Sequence, residues 1–265
     1  MSGVRGAATF RTSADAYDRH VGRYGSELAA ALISASGVQP GQRALDVGCG
    51  PGALTAALAE LLGRERVAAV DPSEPFAEAC AARLPGVRVE VAAAEALPFG
   101  DGSFDASLSQ LVVNFMSDAG AGVREMRRVT RPGGTVATAA WDYAGQMTLL
   151  RRFWDAARAL DPTAASLDEG RCMRYCRPDE LRLLWRDAGL RAVTTSTLTV
   201  EAGYDDFDDL WRPLEAGVGP SGAYAATLPP ERRVRLRDEL RRRLDVANNP
   251  FRLTARAWCV VGRVP

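Results

Sequence analysis

ALDVGCGPGALT, residues 44–55, passes from a short apolar run ending in an acid, through three glycines at alternate positions, into an alanine- and leucine-rich segment. The run Arg43 to Val47 predicts a strand, Ala53 to Leu62 a helix, and the glycines a tight turn between them. Gly48, Gly50 and Gly52 carry no Cβ, so the backbone can turn sharply there and approach a ligand closely. A glycine turn alone is weak evidence of a ligand. What strengthens it is Asp71, at the end of the next apolar run, Arg66 to Val70, where a carboxylate can accept both hydroxyls of an adenosine ribose.

Beyond Asp71 the alternation continues. Glu74 to Leu84 reads as a helix, with Pro72 and Ser73 at its start and Pro85-Gly86 as its stop. Strands are expected at Val87 to Val91, Phe104 to Gln110 and Thr135 to Ala140, and a helix over Gly122 to Thr130 closed by Arg131 to Gly134. Pro178 to Gly189 predicts another helix, Arg191 to Val200 a strand, and Arg252 to Arg263 the final strand. Strands alternating with helices imply right-handed crossovers and a parallel sheet covered on both faces. Two stretches break the pattern, Trp141 to Arg177 and Glu201 to Pro250. They hold a helical segment, Thr148 to Leu160, an acidic aromatic segment, Tyr204 to Trp211, a glycine-rich loop, Gly217 to Gly222, and an arginine-rich helix, Glu231 to Leu244. Both are expected to form a lid over the carboxyl ends of the strands, where open α/β sheets bind ligands. With no linker separating them, residues 1–265 read as one domain, a core over 33–140 with lid insertions over 141–177 and 201–250.

The 33 cations, all arginine, balance 33 acids, so no overall field attracts nucleic acid or an anionic membrane. The absence of lysine removes a P-loop phosphate site and a lysine Schiff base. No apolar run approaches the ~20 residues that cross a bilayer, and Met1 to Arg11 lacks the layout of a secretory signal, so a cytoplasmic protein is expected. Cys49, Cys80, Cys172, Cys176 and Cys259 are scattered and odd in number, which fits reduced thiols. His20 is the sole histidine, and no metal centre is expected.

Four stretches in order, ALDVGCGPGALT, AVDPSE (69–74), AEALPFGDGSFDAS (94–107) and EMRRVTRPGGTV (125–136), together resemble the successive motifs of class I S-adenosylmethionine-dependent methyltransferases, in the branch that includes ubiquinone and menaquinone biosynthesis methyltransferases. The resemblance implies a Rossmann-like three-layer α/β sandwich, with a mostly parallel seven-stranded sheet, a helical lid and S-adenosylmethionine as cofactor. It implies that Asp46, Gly48 and Gly50 line the methionine end of the cofactor, that Asp71 holds the ribose, and that Pro72 lies against the adenine. Gln110 is expected to face the methionine part and the substrate entrance. The family pattern has Asp just ahead of the Ala-Glu pair, where this chain has Ala93. Ala94 can still donate its backbone N–H to an adenine nitrogen, and Glu95 is the candidate replacement acceptor, since an unpaired buried polar group costs ~1–3 kcal/mol. Ala14 to Leu32 resembles the leading helix of this branch, with Tyr17, Arg23 and Tyr24 as candidates to close the site and Arg23 to pair with the methionine carboxylate.

Because a sulfonium already activates its methyl group, the protein's task is alignment, which can supply ~7–11 kcal/mol. A hydroxyl or carbon-acid acceptor also gains from a base, and His20 is the only side chain with an ordinary pKa near neutrality. Trp141, Tyr143, Met147, Phe153, Trp154, Tyr175, Phe207, Trp211 and Tyr224 fall in the lid, either as walls for an apolar or aromatic small molecule or as the lid's own core. The expected function is methyl transfer to such a molecule. Rivals are a nucleic-acid or protein methyltransferase, a dinucleotide oxidoreductase and a non-catalytic cofactor binder of the same fold. ERRVRLRDELRRR (231–243) motivates the first, although its acids interleave at helical spacing. The glycine spacing G-x-G-x-G differs from the G-x-G-x-x-G of dinucleotide sites, and Ala93 is the one hint of a lost activity.

Overall fold

Strands covered on both faces must be apolar throughout, and β1 (Ala44–Val47) and β2 (Val67–Asp71) are buried at every position. The computed structural model describes residues 19–247 and 249–265. β1 pairs in parallel with β2 on one side and with β4 (Phe104–Gln110) on the other; β3 (Arg88–Val91) extends the sheet beyond β2, and β5 (Thr130–Trp141) beyond β4. β6 (Arg191–Tyr204) and β7 (Phe251–Arg263) complete a seven-stranded sheet of order β3-β2-β1-β4-β5-β7-β6, in which β7 runs antiparallel to both neighbours. The expected mostly parallel sheet is therefore present, and its order reverses at β1, where such sheets open a ligand crevice.

Side-chain alternation along β5 divides two cores. Ala137, Ala139 and Trp141 face one core with α1 (Gly25–Ser36), α2 (Ala53–Leu62) and the lid, while Val136 and Ala140 face the other with α4 (Ala119–Val129) and α7 (Pro178–Asp187). α3 (Glu74–Arg83) follows β2 directly and buries Phe76, Ala77 and Cys80. The lid holds α5 (Thr148–Leu160), the single turn α6 (Glu169–Cys172), α8 (Phe207–Glu215), α9 (Gly219–Thr227) and α10 (Pro230–Leu244). It is tied down by Arg151, which donates to both oxygens of the fully buried Asp168 at 3.0 and 2.8 Å. Among the described residues no helix is long and apolar enough to cross a membrane.

Several boundaries differ from those read in the sequence. The stretch expected as a glycine-rich loop, 217–222, is largely the first turn of α9, because Pro220 sits where a missing N–H costs nothing and the small residues after it are helix-compatible. α4 starts at Ala119, three residues before Gly122, since the Asp118 carboxylate caps it by accepting from the Ala121 N–H at 2.9 Å. β5 begins at Thr130, and 131–134 bulge out between the pairs Phe104–Thr130 and Ala106–Thr135. β6 runs on to Tyr204, opposite Phe251 of β7, which is one residue shorter. Of the expected leading helix, the described part is a 3-10 turn, Val21–Tyr24, running into α1, and Tyr17 lies outside the described residues.

Candidate active site

The turn after β1 needs glycine for two separate reasons. At Gly48 (φ 78°) an added Cβ would stand 2.5 Å from the Val112 side chain, whereas at Gly50 (φ 51°) it would meet nothing within 4 Å, so only the torsion demands glycine there. Gly48 and Cys49 both donate their N–H to the Val70 carbonyl, at 2.8 and 2.9 Å, and Gly50 donates to Asp71 Oδ2 at 2.8 Å. Ser73 N–H holds the other oxygen, Oδ1, at 2.8 Å. The turn is thereby stapled to the end of β2, and the Asp71 carboxylate is oriented by two backbone donors. Burial raises its pKa against those two hydrogen bonds.

Asp46 is fully buried at the other end of the same turn. Its Oδ2 accepts from Thr55 Oγ1 at 2.6 Å, while Oδ1 has no partner among the described residues. Burial pushes this carboxyl up to about 7, opposed by the Thr55 hydrogen bond and reinforced by the charge of Asp71. Gln110, at the end of β4, donates from Nε2 to the Gly25 carbonyl at 3.1 Å and leaves Oε1 buried without a partner. Two unpartnered acceptors, with no unpartnered buried side-chain donor among the described residues of the cleft, suit a ligand group that donates hydrogen bonds, such as an ammonium.

These groups line one cleft of about 190 Å³. Asp46, Gly48, Gly50, Asp71, Pro72, Ala94, Glu95 and Gln110, nominated from the sequence, all lie on its walls, as does Ala93. The Glu95 carboxylate is anchored, accepting from the Asp118 N–H at 3.0 Å. The sequence reading missed the apolar walls, Phe76, Leu111, Phe115 and Met116 among them. Phe76 had a usable signal: it falls in the first turn of the helix that follows the strand-end acid, and so beside that acid. Leu111 had none; it takes a left-handed torsion (φ 64°) just after β4, uncommon in a non-glycine residue.

Arg23 is placed differently from its expected role. Its guanidinium pairs with Asp209 at 2.5 Å, donates to the Gly203 carbonyl at 3.1 Å and stacks over Tyr204, and it is absent from the cleft walls. It ties the turn before α1 to β6 and α8. His20 lines a second, smaller chamber of about 30 Å³ that shares Val21, Leu111 and Phe115 with the cleft. Burial, with Arg23 adding, lowers its pKa to about 4, so this imidazole is neutral near pH 7 and a weaker base than an ordinary histidine. Trp141, Tyr143 and Leu150 from the first lid insertion and 218–221 from the second reach this chamber. Phe153, Trp154 and Tyr224 instead pack on one another with ring centroids 5.2–6.3 Å apart, forming lid core.

A family model described as a methyltransferase domain matches residues 45–138, from β1 into β5. The malonyl-[acyl-carrier protein] O-methyltransferase of Erwinia pyrifoliae is 33% identical over 71% of this chain and 76% of its own length. The demethylmenaquinone methyltransferase of Roseiflexus castenholzii is 35% identical over 57% of this chain and 69% of its own. The chain spans 31% of the length of a transposon protein of Streptomyces fradiae and 58% of a second malonyl-[acyl-carrier protein] O-methyltransferase, from Pseudescherichia vulneris. Among solved structures, the YcgJ protein of Bacillus subtilis shares the fold with a TM-score of 0.58 at 19% identity, covering 89% of this chain and 97% of that one. With a relative 33% identical over 71% of the chain and a methyltransferase domain matched across the glycine turn and both strand-end acids, the chain belongs to the class I S-adenosylmethionine-dependent methyltransferases.

Proposed function

We propose that this protein transfers the methyl group of S-adenosylmethionine to a small molecule. The observation that carries the reading is the pair of buried, unpartnered acceptors, Asp46 Oδ1 and Gln110 Oε1, on the wall of a cleft that also presents the Asp71 carboxylate. An ammonium supplies the donors that the first two lack, and a ribose diol supplies donors to the lone pairs Asp71 has left. The residues therefore fit the cofactor: Asp46 and Gln110 hold its amino-acid end, Asp71 its ribose, and Pro72, Phe76 and the Ala94 N–H its adenine, with Glu95 as the acceptor that Ala93 cannot be. When bound, the cofactor supplies a methyl group activated on a sulfonium. The protein's own residues orient the two reactants and keep water out.

A small-molecule acceptor is favoured over nucleic acid because four of the seven arginines of α10 are ion-paired: Arg237 with Asp208, Arg242 and Arg243 with Glu239, and Arg232 with Asp161 at 3.7 Å. Five unpaired thiols fit the cytoplasm. Calorimetry with S-adenosylhomocysteine and NAD tests the reading. S-adenosylhomocysteine should bind, and Asp71→Ala should weaken it more than tenfold; a preference for NAD, or no binding of either, would defeat it.

A further inference from the structure

The small chamber behind the cleft carries polar groups to which methyl-donor binding gives no work. Glu169, at the start of α6, is 3% exposed, and among the described residues it is the one acid on the chamber's walls and no arginine lies on them. Its Oε2 accepts from Trp154 Nε1 at 2.9 Å. Two further wall residues, Trp141 and Ser221, have buried polar atoms, Nε1 and Oγ, without a partner among the described residues. Leaving such groups unpaired costs stability, which argues for a ligand that completes them. An indole N–H can only donate, so the ligand atom it meets is an acceptor, and oxygen is the one a hydroxyl can also satisfy. An ammonium would suit Glu169 but offers Trp141 no lone pair, and an anion would meet the acid with no arginine on the described walls, the nearby Arg151 being bound to Asp168 and Asp155. Apart from His20 and Tyr143 the remaining side chains of the wall are apolar, including Val21, Leu111 and Phe115 at the junction with the cleft.

We propose that this chamber, of about 30 Å³, takes the reacting end of the acceptor, that the acceptor is an uncharged molecule bearing a hydroxyl on an apolar body that lies at the junction with the cleft against Val21, Leu111 and Phe115, and that the Glu169 carboxylate accepts the hydroxyl proton. The inference rests on the methyl-transfer reading above. The O–H bond breaks with its proton passing to Glu169; the oxygen lone pair forms the O–CH₃ bond as the S–CH₃ bond breaks, its electron pair staying on sulfur. The products are a methyl ether, S-adenosylhomocysteine and one proton, which Glu169 releases to solvent. Burial first, then the charge of Asp168, pushes Glu169 up to about 7 against the Trp154 hydrogen bond and Arg151, which suits a base working near neutral pH. The other titratable groups around it among the described residues are the Cys172 and Cys176 thiols, the Tyr143 phenol on the chamber wall and the neutral His20 across the chamber.

The test uses the full chain loaded with S-adenosylhomocysteine and titrated calorimetrically with phenol, toluene and benzoate, followed by turnover of phenol and cyclohexanol with methyl-labelled S-adenosylmethionine. Phenol should bind at least tenfold more tightly than toluene, with benzoate weakest, and a labelled ether should form at a rate that rises as pH passes through about 7. Glu169→Gln, which retains an acceptor for Trp154, should slow turnover about 10²-fold or more and abolish that rise, with S-adenosylhomocysteine affinity unchanged. Ser221→Ala should weaken phenol binding several-fold while leaving thermal stability equal or higher, an outcome that a merely structural hydroxyl would not give. Failure to bind S-adenosylhomocysteine would remove the methyl-transfer reading itself. Intact binding of it with phenol held no better than toluene, no labelled ether from either alcohol, or a Glu169→Gln protein with the parent rate and pH profile would overturn the acceptor assignment.

Discussion

Asp46 is a buried acid with no counter-charge among the described residues, and its carboxyl holds its proton up to about 7. A ligand ammonium favours the ionised form, so binding at lower pH must first remove that proton. S-adenosylhomocysteine affinity should therefore fall as pH drops from about 8 to 6, approaching tenfold per unit below 7, and Asp46→Asn should flatten the dependence; titration calorimetry across the range measures both. The acids and glycines of the cleft were legible in the sequence because each answers a local demand: a torsion at Gly50, a strand end at Asp71. Glu169 and Ser221 were not legible. They lie 52 residues apart in the chain, and only the folded lid brings them to one chamber. Arg23 illustrates the converse, since its partner Asp209 is 186 residues away and nothing near Arg23 in sequence announces it.

Among the elements, helices and strands with a strong period stood out in the sequence, and those whose ends depend on a side chain did not. The Asp118 cap extends α4 beyond the reach of hydrophobic periodicity, and the glycines, Pro220 and Ser221 that punctuate 217–222 like a loop turn out to open α9. The α5–α6 connection is held by charge: Asp168 is fully buried, caps α6 by accepting from the Gly170 N–H at 3.0 Å and takes both bonds of Arg151. Asp168→Ala leaves Arg151 with Asp155 at 3.0 Å as its remaining carboxylate. The expected loss is about 3 kcal/mol, the lower end of the range for a broken buried pair, read as a shift of the urea midpoint at unchanged slope. A loss below about 0.5 kcal/mol would show that α6 stands without this anchor.

For the molecule as a whole, buried titratable groups set the pH at which the unliganded fold is most stable. Asp46 and Glu169, both raised to about 7, keep protons that the unfolded chain releases near 3.8 and 4.5, so their contribution is complete below those values and is lost as pH rises through 7. His20, lowered from 6.5 to about 4, works in the opposite direction, and its contribution is lost as pH falls through that window. The two acids outnumber the one base, so thermal stability should decline from about pH 5 to 7.5. Below about pH 4.5 the arginine-bound surface acids, such as Glu239 held at about 2, begin to lose their partners' benefit and stability falls again. Melting curves from pH 4 to 8 check this, and a midpoint that climbs steadily from 5 to 8 would contradict it. The sheet order adds a constraint on biosynthesis. β7 fills the gap between β5 and β6, so a growing chain on the ribosome holds two bare strand edges until Phe251–Arg263 emerges. The nucleoside-binding half can assemble during translation, whereas the distal half must wait, its unpaired edges open to chaperones or to a neighbouring nascent chain.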